Sequence, residues 1–402
     1  MSDHVLVINA GSSSLKYSLV DAASGEAAAI GFVERIGESQ GKQLHRGPNG
    51  ETRTTKAIAS HEDALRAAVD AFEAHGPSLD GLDIVAVGHR VVHGGARFAD
   101  PALVDDELIA KVTELVPLAP LHNPANLEGM QVARRLFPHL PQVAVFDTAF
   151  HQTLEPKAYT YAVPHEWLKD HGIRRYGFHG TSHAFVSGEA ARLLGREPAD
   201  VNLIVLHLGN GCSVTAVRGG ESVDTSMGMT PLEGLVMGTR SGDLDPAIHG
   251  HLSRELGLSL DKVDRLLNFE SGLKGLTGEN DFRELLQRRA EGDEQAGLAF
   301  DVYCYRIRKY VGAYYAVLGT VDAIVFTAGV GQHAAEVRAA SLEGLEQLGI
   351  RIDHERNAAS SDDGRVVSTE DSVVKVLVVP TNEEWQIARE VLSVITGQPG
   401  EL

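Results

Sequence analysis

Two stretches of the chain share one pattern of apolar and polar positions. Residues 5–17 read VLVINAGSSSLKY, and residues 203–215 read LIVLHLGNGCSVT, 198 positions further on. Each has four apolar residues, a polar one (Asn9, His207), one small or apolar residue, and a shared glycine (Gly11, Gly209). A small polar run then leads into a second apolar stretch. Short apolar runs bounded by turn residues predict buried strands. The Gly209-Asn210-Gly211 break predicts a tight hairpin turn with positive φ. Two such hairpins, at the starts of two chain halves, predict an internal duplication. Turns of Gly, Ser and Asn also leave backbone N–H groups unobstructed, which suits a phosphate chain.

The rest of the pattern extends this frame. Strands are expected at 5–9, 15–20 and 28–35, followed by a polar, Gly-rich excursion at 37–55. HEDALRAAVDAFEAHG has helical periodicity, with Ser60 as its N-cap and Gly76 at its end. DIVAVGHRVVHGG reads as strand then loop, DDELIAKVTELVPLAP as a helix stopped by proline, and NLEGMQVARRLF as a helix. PQVAVFDTAFH is a strand with Asp147 at its carboxyl end. In the second half, FHGTSHAFVSGEAARLLG is a loop into a helix capped by Thr181 and Ser182. Further helices are expected at 258–269, 281–290 and 296–318, and a strand over 322–331 that ends in glycines. EEWQIAREVLSVI (383–395) is a final amphipathic helix capped by Thr381 or Asn382. Hairpins followed by alternating β and α imply an α/β fold of mixed sheets flanked by helices. The domain boundary is expected near 150, with the last helix packing back onto the first domain.

Composition narrows the partners. A chain of 402 residues, 43% hydrophobic and 23% charged, is expected to hold two globular domains. A net charge of −19 argues against nucleic acid or an anionic membrane, and requires a local cluster of cations for any anionic substrate. Two cysteines, Cys212 and Cys304, make no disulfide framework and fit a reducing cytoplasm. MSDHVLVINA lacks a signal peptide's basic start and apolar core. No apolar run approaches the roughly 20 residues of a membrane span.

Polar groups recur just past the buried strands, where open α/β sheets bind ligands. They are Arg90 and His93, Asp147, His179, His207, Arg240, Gly329 and Gly331, and Asn382, Glu383 and Glu384. Solvated loops also begin at strand ends, so the convergence carries the argument rather than any one residue. No G-x-x-x-x-G-K-[ST], complete G-x-G-x-x-G, H-E-x-x-H or G-x-S-x-G is present. His179 and His183 have i,i+4 spacing but no third ligand, so zinc is not expected. These residues leave two readings open, an ATP-using phosphotransferase and an ATPase.

VLVINAGSSSLKYSL, VGHRVVHGG, LAPLHNPANLEG, VAVFDTAFHQTL, YGFHGTSH, LIVLHLGNGCSV, DTSMGMTPLEGLVMGTRSGDLDP and PTNEEWQIAR, in order from residue 5 to 389, closely resemble the acetate kinase family. Propionate and butyrate kinases share parts of these motifs. The resemblance implies two duplicated domains of the actin-like ATPase (ribonuclease H-like) type, 1–150 joined by helix 383–396, and 151–382, with a nucleotide cleft between them. The second domain would carry most of the nucleotide site. It implies reversible, direct in-line transfer of the ATP γ-phosphoryl group to acetate, giving acetyl phosphate and ADP. Mg²⁺ (or Mn²⁺) would assist, in a cytoplasmic homodimer. It further implies that Asn9 and Glu383 are metal-site residues and Lys16 a nucleotide contact. Arg90 and Arg240 would be the catalytic arginines, Asp147 the active-site carboxylate and His179 a transition-state stabiliser. The remaining nucleotide contacts would be His207, Leu208, Gly209, Asn210 and Gly211; Asp281, Phe282 and Arg283; and Gly329, Val330, Gly331, Gln332 and His333. Val92, Leu121 and Pro231 would line the acetate methyl pocket, with Arg90 and His122 beside it.

One stretch departs from the pattern: Gln332 and His333 in GVGQH replace an acid and an amide, while the glycines remain. A propionate or butyrate kinase stays open as an alternative. A chaperone-like or cytoskeletal ATPase would share the hairpins but would not need Arg90, Arg240 or a small apolar pocket. The acceptor would itself be a carboxylate, ionised at neutral pH, so Asp147 has no proton to remove from it. Holding a Mg²⁺-bound water or orienting an arginine suits Asp147 better.

Overall fold

A computed structural model describes residues 3–79 and 82–397. Residues 1, 2, 80 and 81, assigned from sequence to the first domain, and 398–402 lie outside the described residues. The chain divides into two compact units, Met1–Phe150 with Asn382–Leu402, and His151–Thr381.

The first unit holds an eight-stranded sheet of β1 (His4–Gly11), β2 (Ser14–Asp21), β3 (Ala27–Glu34), β4 (Gly41–Gly47), β5 (Gly50–Lys56), β6 (Ile84–Val91), β7 (Ala102–Leu103) and β8 (Gln142–Phe146). Their spatial order is β5-β4-β3-β2-β1-β6-β8-β7. β1 to β5 form an antiparallel meander, while β1, β6 and β8 run parallel. The run Val5–Ile8 of β1 is apolar because both faces of the strand are covered. Leu6, Ile8 and Ala10 pack with Leu65 and Phe72 of the helix His61–His75. Val5 and Val7 pack with Ile387 and Val391 of the helix Glu383–Thr396. Ser60 Oγ accepts from Asp63 N at 3.1 Å to start the first of these helices, and Gly76 ends it at φ 74°. Asn382, not Thr381, caps the last helix, accepting from Trp385 N at 3.0 Å.

The excursion at 37–55 is instead the hairpin β4–β5. Its alternation was hidden because polar side chains occupy buried positions. Gln43 donates to Ala67 O at 2.8 Å, and His45 Nδ1 lies 2.9 Å from Tyr17 Oη. The helix expected to reach proline ends at Glu114, with a short 3₁₀ turn at Val116–Leu118.

The second unit holds β9 (Asn202–Leu208), β10 (Cys212–Arg218), β11 (Glu221–Thr225), β12 (Ala323–Thr327), β13 (Arg365–Val366) and β14 (Lys375–Val378), in the order β11-β10-β9-β12-β14-β13. Three antiparallel strands are followed by the parallel β12 and β14. The run β11-β10-β9-β12-β14 therefore repeats β3-β2-β1-β6-β8. The expected duplicated α/β class is what the chain adopts. The two hairpins differ in their turns: Gly11 lies opposite Ser14, but Leu208 lies opposite Cys212. The extra residue slips the register, so Asn9 faces Lys16 whereas His207 faces Ser213.

Three local expectations need correction. The Gly209-Asn210-Gly211 turn contains no positive φ, and Gly209 N donates to Gly211 O at 3.0 Å. A Cβ on Gly211 would come within 2.7 Å of Arg240 Nη2, so there glycine serves close approach rather than an unusual φ. The strand of 322–331 stops at Thr327. Gly329 and Gly331 lie in the short helix Ala328–His333, entered through Ala328 at φ 62°. Finally, His179 occupies the N-cap position of the helix Gly180–Leu193, at φ 56° and without a side-chain cap bond. Thr181 and Ser182 belong to the first turn, and Ser182 Oγ reaches His207 instead. Among the described residues no helix is long and apolar enough to cross a membrane.

Candidate active site

In the first unit, parallel pairing of β6 with β8 sets Arg90 beside Asp147 (Arg90 opposite Val145, Asp147 just past Phe146). Asp147 is 1% exposed and its carboxylate takes the Arg90 guanidinium in a fork. Nε donates to Oδ1 at 3.0 Å and Nη2 to Oδ2. Nη1 donates to Asn9 Oδ1 at 3.4 Å, and Nε lies 3.9 Å from Glu383 Oε2. Burial works to lower the Arg90 pKa, but the charges of Asp147 and Glu383 and the Asp147 hydrogen bonds outweigh it and raise the pKa. Burial pushes the Glu383 carboxyl above its ordinary range against the pull of Arg90, and Glu384 adds to the rise. Asn9, Lys16, Arg90 and Glu383 line one cavity of ≈ 390 Å³, with Phe32 forming part of its wall. Lys16 Nζ sits 5.6 Å from the Phe32 ring centroid.

Val92 is half-buried, and its N–H donates to Asn126 Oδ1 at 3.0 Å. Asn126 Nδ2 in turn donates to Ala10 O at 2.7 Å, tying the β6 end to the first hairpin. Leu121 is exposed (47%), and the half-buried His122 is the N-cap residue of the helix Asn123–Leu136, with no side-chain cap bond.

In the second unit, His179, His207, Arg240 and Pro231 gather over the Gly209–Gly211 turn. The rings of His179 and His207 stack with centroids 4.2 Å apart. A Cβ on Gly211 would lie 3.4 Å from His179 Nε2 and 2.7 Å from Arg240 Nη2, so both polar ends meet at that glycine. Arg240 Nη1 donates to Pro231 O at 2.7 Å. Among the described residues Arg240 has no carboxylate partner, and burial lowers its pKa. Gly238 N donates to Asn210 O at 2.9 Å, and Asn280 Nδ2 to Asn210 Oδ1 at 3.2 Å. These bonds connect the turn to the segment before Asp281. Leu208 is fully buried, and Gly209 approaches Ala328, where a Cβ would lie 3.8 Å from the alanine's own.

The 281–283 and 329–333 segments divide by role. Asp281 caps the helix Phe282–Ala290 and pairs with Arg283, whose hydrogen bonds bring its carboxyl down to about 2. Both side chains are exposed. The Phe282 ring turns into the core, 5.1 Å from that of Tyr303. Gly329 is exposed, Val330 and Gln332 half-buried, Gly331 buried and His333 exposed. Gly331 O and Gln332 O both accept from Arg338 Nη1 at 2.8 Å. Arg338 is 1% exposed, also donates to Asn357, and is brought down to about 10 by burial and then by the charge of Arg365.

Sequence reading did not find Arg338, Asn126, Asn210's partner Asn280, or Ser182 and Ser213 between the histidines. The contacts of Arg338 and Asn280 depend on distant segments. Ser213, by contrast, lies opposite His207 in the hairpin register and could have been found from strand pairing alone.

Residues 4–389 match the model of the acetokinase family. The chain belongs to that family. It is thus a kinase that transfers a phosphoryl group to a carboxylate. It is 57% identical over 393 residues to an acetate kinase of Streptomyces avermitilis, covering 97% of both chains. The crystal structure of Porphyromonas gingivalis acetate kinase superposes with a TM-score of 0.94 at 42% identity, covering 98% of this chain and 100% of that one. A propionate kinase from Francisella tularensis gives 0.91 at 42% identity, over 97% and 99%. The acetokinase motifs named in the sequence thus include both arginine environments described here.

Proposed function

We propose that the chain phosphorylates acetate from ATP, reversibly and by direct in-line transfer, giving acetyl phosphate and ADP. The observation that carries this reading is Arg240. It is a guanidinium withdrawn from water without a carboxylate partner, set with two histidines over a glycine turn in a chain of net charge −19. Such an arrangement favours an incoming anion whose charge is spread over equatorial phosphoryl oxygens. In this reading Arg240 and His179 contact the transferring group. Residues 207–211, 281–283 and 329–333 contact the nucleotide, through the backbone in the case of Phe282. Lys16 is a further nucleotide contact. Arg90 orients the acceptor carboxylate, and Val92, Leu121, His122 and Pro231 surround its methyl group.

Asn9, Glu383 and Asp147 offer only oxygen donors around Arg90, a donor set that suits Mg²⁺, or Mn²⁺, better than a softer metal. Asn9 and Glu383 would hold the ion together with ATP phosphates, and the raised pKa of Glu383 marks a carboxyl that a cation would favour in its ionised form. A divalent ion held there would offset the charge of the ATP phosphates. Asp147 has both oxygens engaged by Arg90, so its work is to fix that guanidinium. The reading includes a homodimer in the cytoplasm, the latter in keeping with the free, buried Cys212 and Cys304.

A coupled assay of ADP release with acetate, propionate, butyrate or no acid tests the activity. Release is expected to depend on an acid and to be fastest with acetate. Equal release without any acid would favour an ATPase, and faster release with propionate or butyrate the sibling kinases.

A further inference from the structure

Four histidines lie in a row that runs from the half-buried His179 to the buried His207, His183 and His151. The centroids of His179 and His207 are 4.2 Å apart, those of His207 and His183 6.3 Å, and those of His183 and His151 5.7 Å. Only the first two were expected to serve the reaction. Ser213, fully buried on β10, lies between two of them, with Oγ 2.9 Å from His179 Nδ1 and 2.8 Å from His183 Nε2. Ser213 Oγ has one proton to give and two lone pairs to offer, and the direction of the chain is set at its far end. His183 Nδ1 is buried and has no hydrogen-bond partner among the described residues. A proton there would be an orphaned donor, whereas a lone pair there is the cheaper loss. His183 thus carries its proton on Nε2 and donates it to Ser213 Oγ. Ser213 then donates to His179 Nδ1, which leaves the His179 proton on Nε2, the edge that meets Arg240 at Gly211.

The geometry points to His183 and Ser213 as positioning residues that lock His179 in the neutral tautomer with its Nε2–H directed outward. This inference rests on the reading of His179 as a phosphoryl contact, and says how that contact is held ready to donate. Protonating His179 on Nδ1 would either strand the buried Ser213 hydroxyl proton, its oxygen then accepting from both rings, or force a proton onto His183 Nδ1, so the relay opposes the cation. Two neighbours in the same unit lie against it. Arg240 lies beside His179 at Gly211, and His207 stacks on it. His183 is held far below its ordinary range by burial, then by His151 and His207. His151 cannot supply a proton to His183, because its Nε2 donates to Phe178 O at 3.0 Å and its Nδ1 lies 2.8 Å from Ser222 Oγ. Second-sphere partners of this kind fix which imidazole nitrogen carries the proton.

The test combines ring-nitrogen NMR of the ¹⁵N-histidine-labelled full chain with kinetics. In the parent, His179 should show a protonated Nε2 and a bare Nδ1 across neutral pH. Ser213→Ala should leave it as a mixture of the two neutral tautomers. Ser213→Ala and His183→Phe should each lower kcat by about 10–100-fold with KM for ATP little changed. His183→Gln, whose amide can still donate to Ser213, should recover most of that loss. It also serves where the phenylalanine variant fails to fold. A parent His179 protonated on Nδ1, or a tautomer unmoved by Ser213→Ala, overturns the relay whatever the rates. A His179→Ala enzyme working at full rate overturns the reading of His179 as a phosphoryl contact instead, while the nitrogen signals still decide the relay.

Discussion

Arg90 and Arg240 are both guanidinium groups drawn away from water, and both come from the motifs that mark the family, yet their surroundings are opposite. Arg90 is gripped by the two oxygens of Asp147, with Asn9 and Glu383 at its other edges. Among the described residues Arg240 donates to one backbone carbonyl, Pro231 O, and pairs with no carboxylate. A paired arginine is fixed in direction but contributes little net charge. An unpaired one costs desolvation energy in the free protein, and regains it when an anion arrives. On the proposed reading the comparison divides the labour: Arg90 would supply orientation and Arg240 would supply charge. It also removes the need for Asp147 to act as a base, since its oxygens are committed to an arginine and the acceptor is already ionised at neutral pH.

Four substitutions break or sharpen this contrast. Arg90→Ala should have the largest effect, because it removes the guanidinium that grips the buried Asp147 carboxylate. Breaking such a pair costs about 3–5 kcal/mol of stability, measurable by denaturant unfolding of the ligand-free protein. Arg240→Ala should instead cost about 10²–10³ in kcat, as loss of one preorganised donor does, with the ligand-free melting temperature unchanged or raised. A matching fall in stability would erase the distinction. Val92→Ala bears on the acceptor side of the contrast. A methylene in such a pocket is worth about 1–3 kcal/mol of discrimination, so the propionate-to-acetate ratio of kcat/KM should rise by about tenfold or more. An unchanged ratio would remove Val92 from the pocket. The smallest expected change is one of shape: Asp147→Asn should lower turnover yet leave the rate profile between about pH 6 and 9 without a new limb. A basic limb lost only in this variant would restore Asp147 as a proton-transfer group.

Much of the fold and the candidate residues were legible in the sequence, and the remainder was hidden for identifiable reasons. The hairpins at 5–17 and 203–215 were readable because a strand covered on both faces leaves a continuous apolar run. The helix at 61–75 was readable through Ser60 and Gly76. β4 and β5 were not, because Gln43 and His45 hold buried positions through hydrogen bonds to Ala67 and Tyr17 that sequence does not display. Positive φ was expected in the Gly209–Gly211 turn but falls on Ala328 and His179, where tertiary contacts rather than residue type impose it. Arg90, Asp147, His179 and Arg240 were all found as candidates at strand ends or in loops. Which arginine is paired and which is not could not be read, since the partners are 57 residues apart in one case and absent in the other.

The division of labour is most directly tested by side-chain NMR of the arginine guanidinium groups, with Arg90 and Arg240 assigned through Arg90→Lys and Arg240→Lys. In the ligand-free protein the Arg90 guanidinium should already rotate slowly and exchange its protons slowly, as its fork with Asp147 requires. Arg240 should reach that state only when ADP, Mg²⁺, acetate and a planar phosphoryl mimic are added together. An Arg240 held as tightly as Arg90 before any ligand, or one that the ligands leave unchanged, would contradict the account.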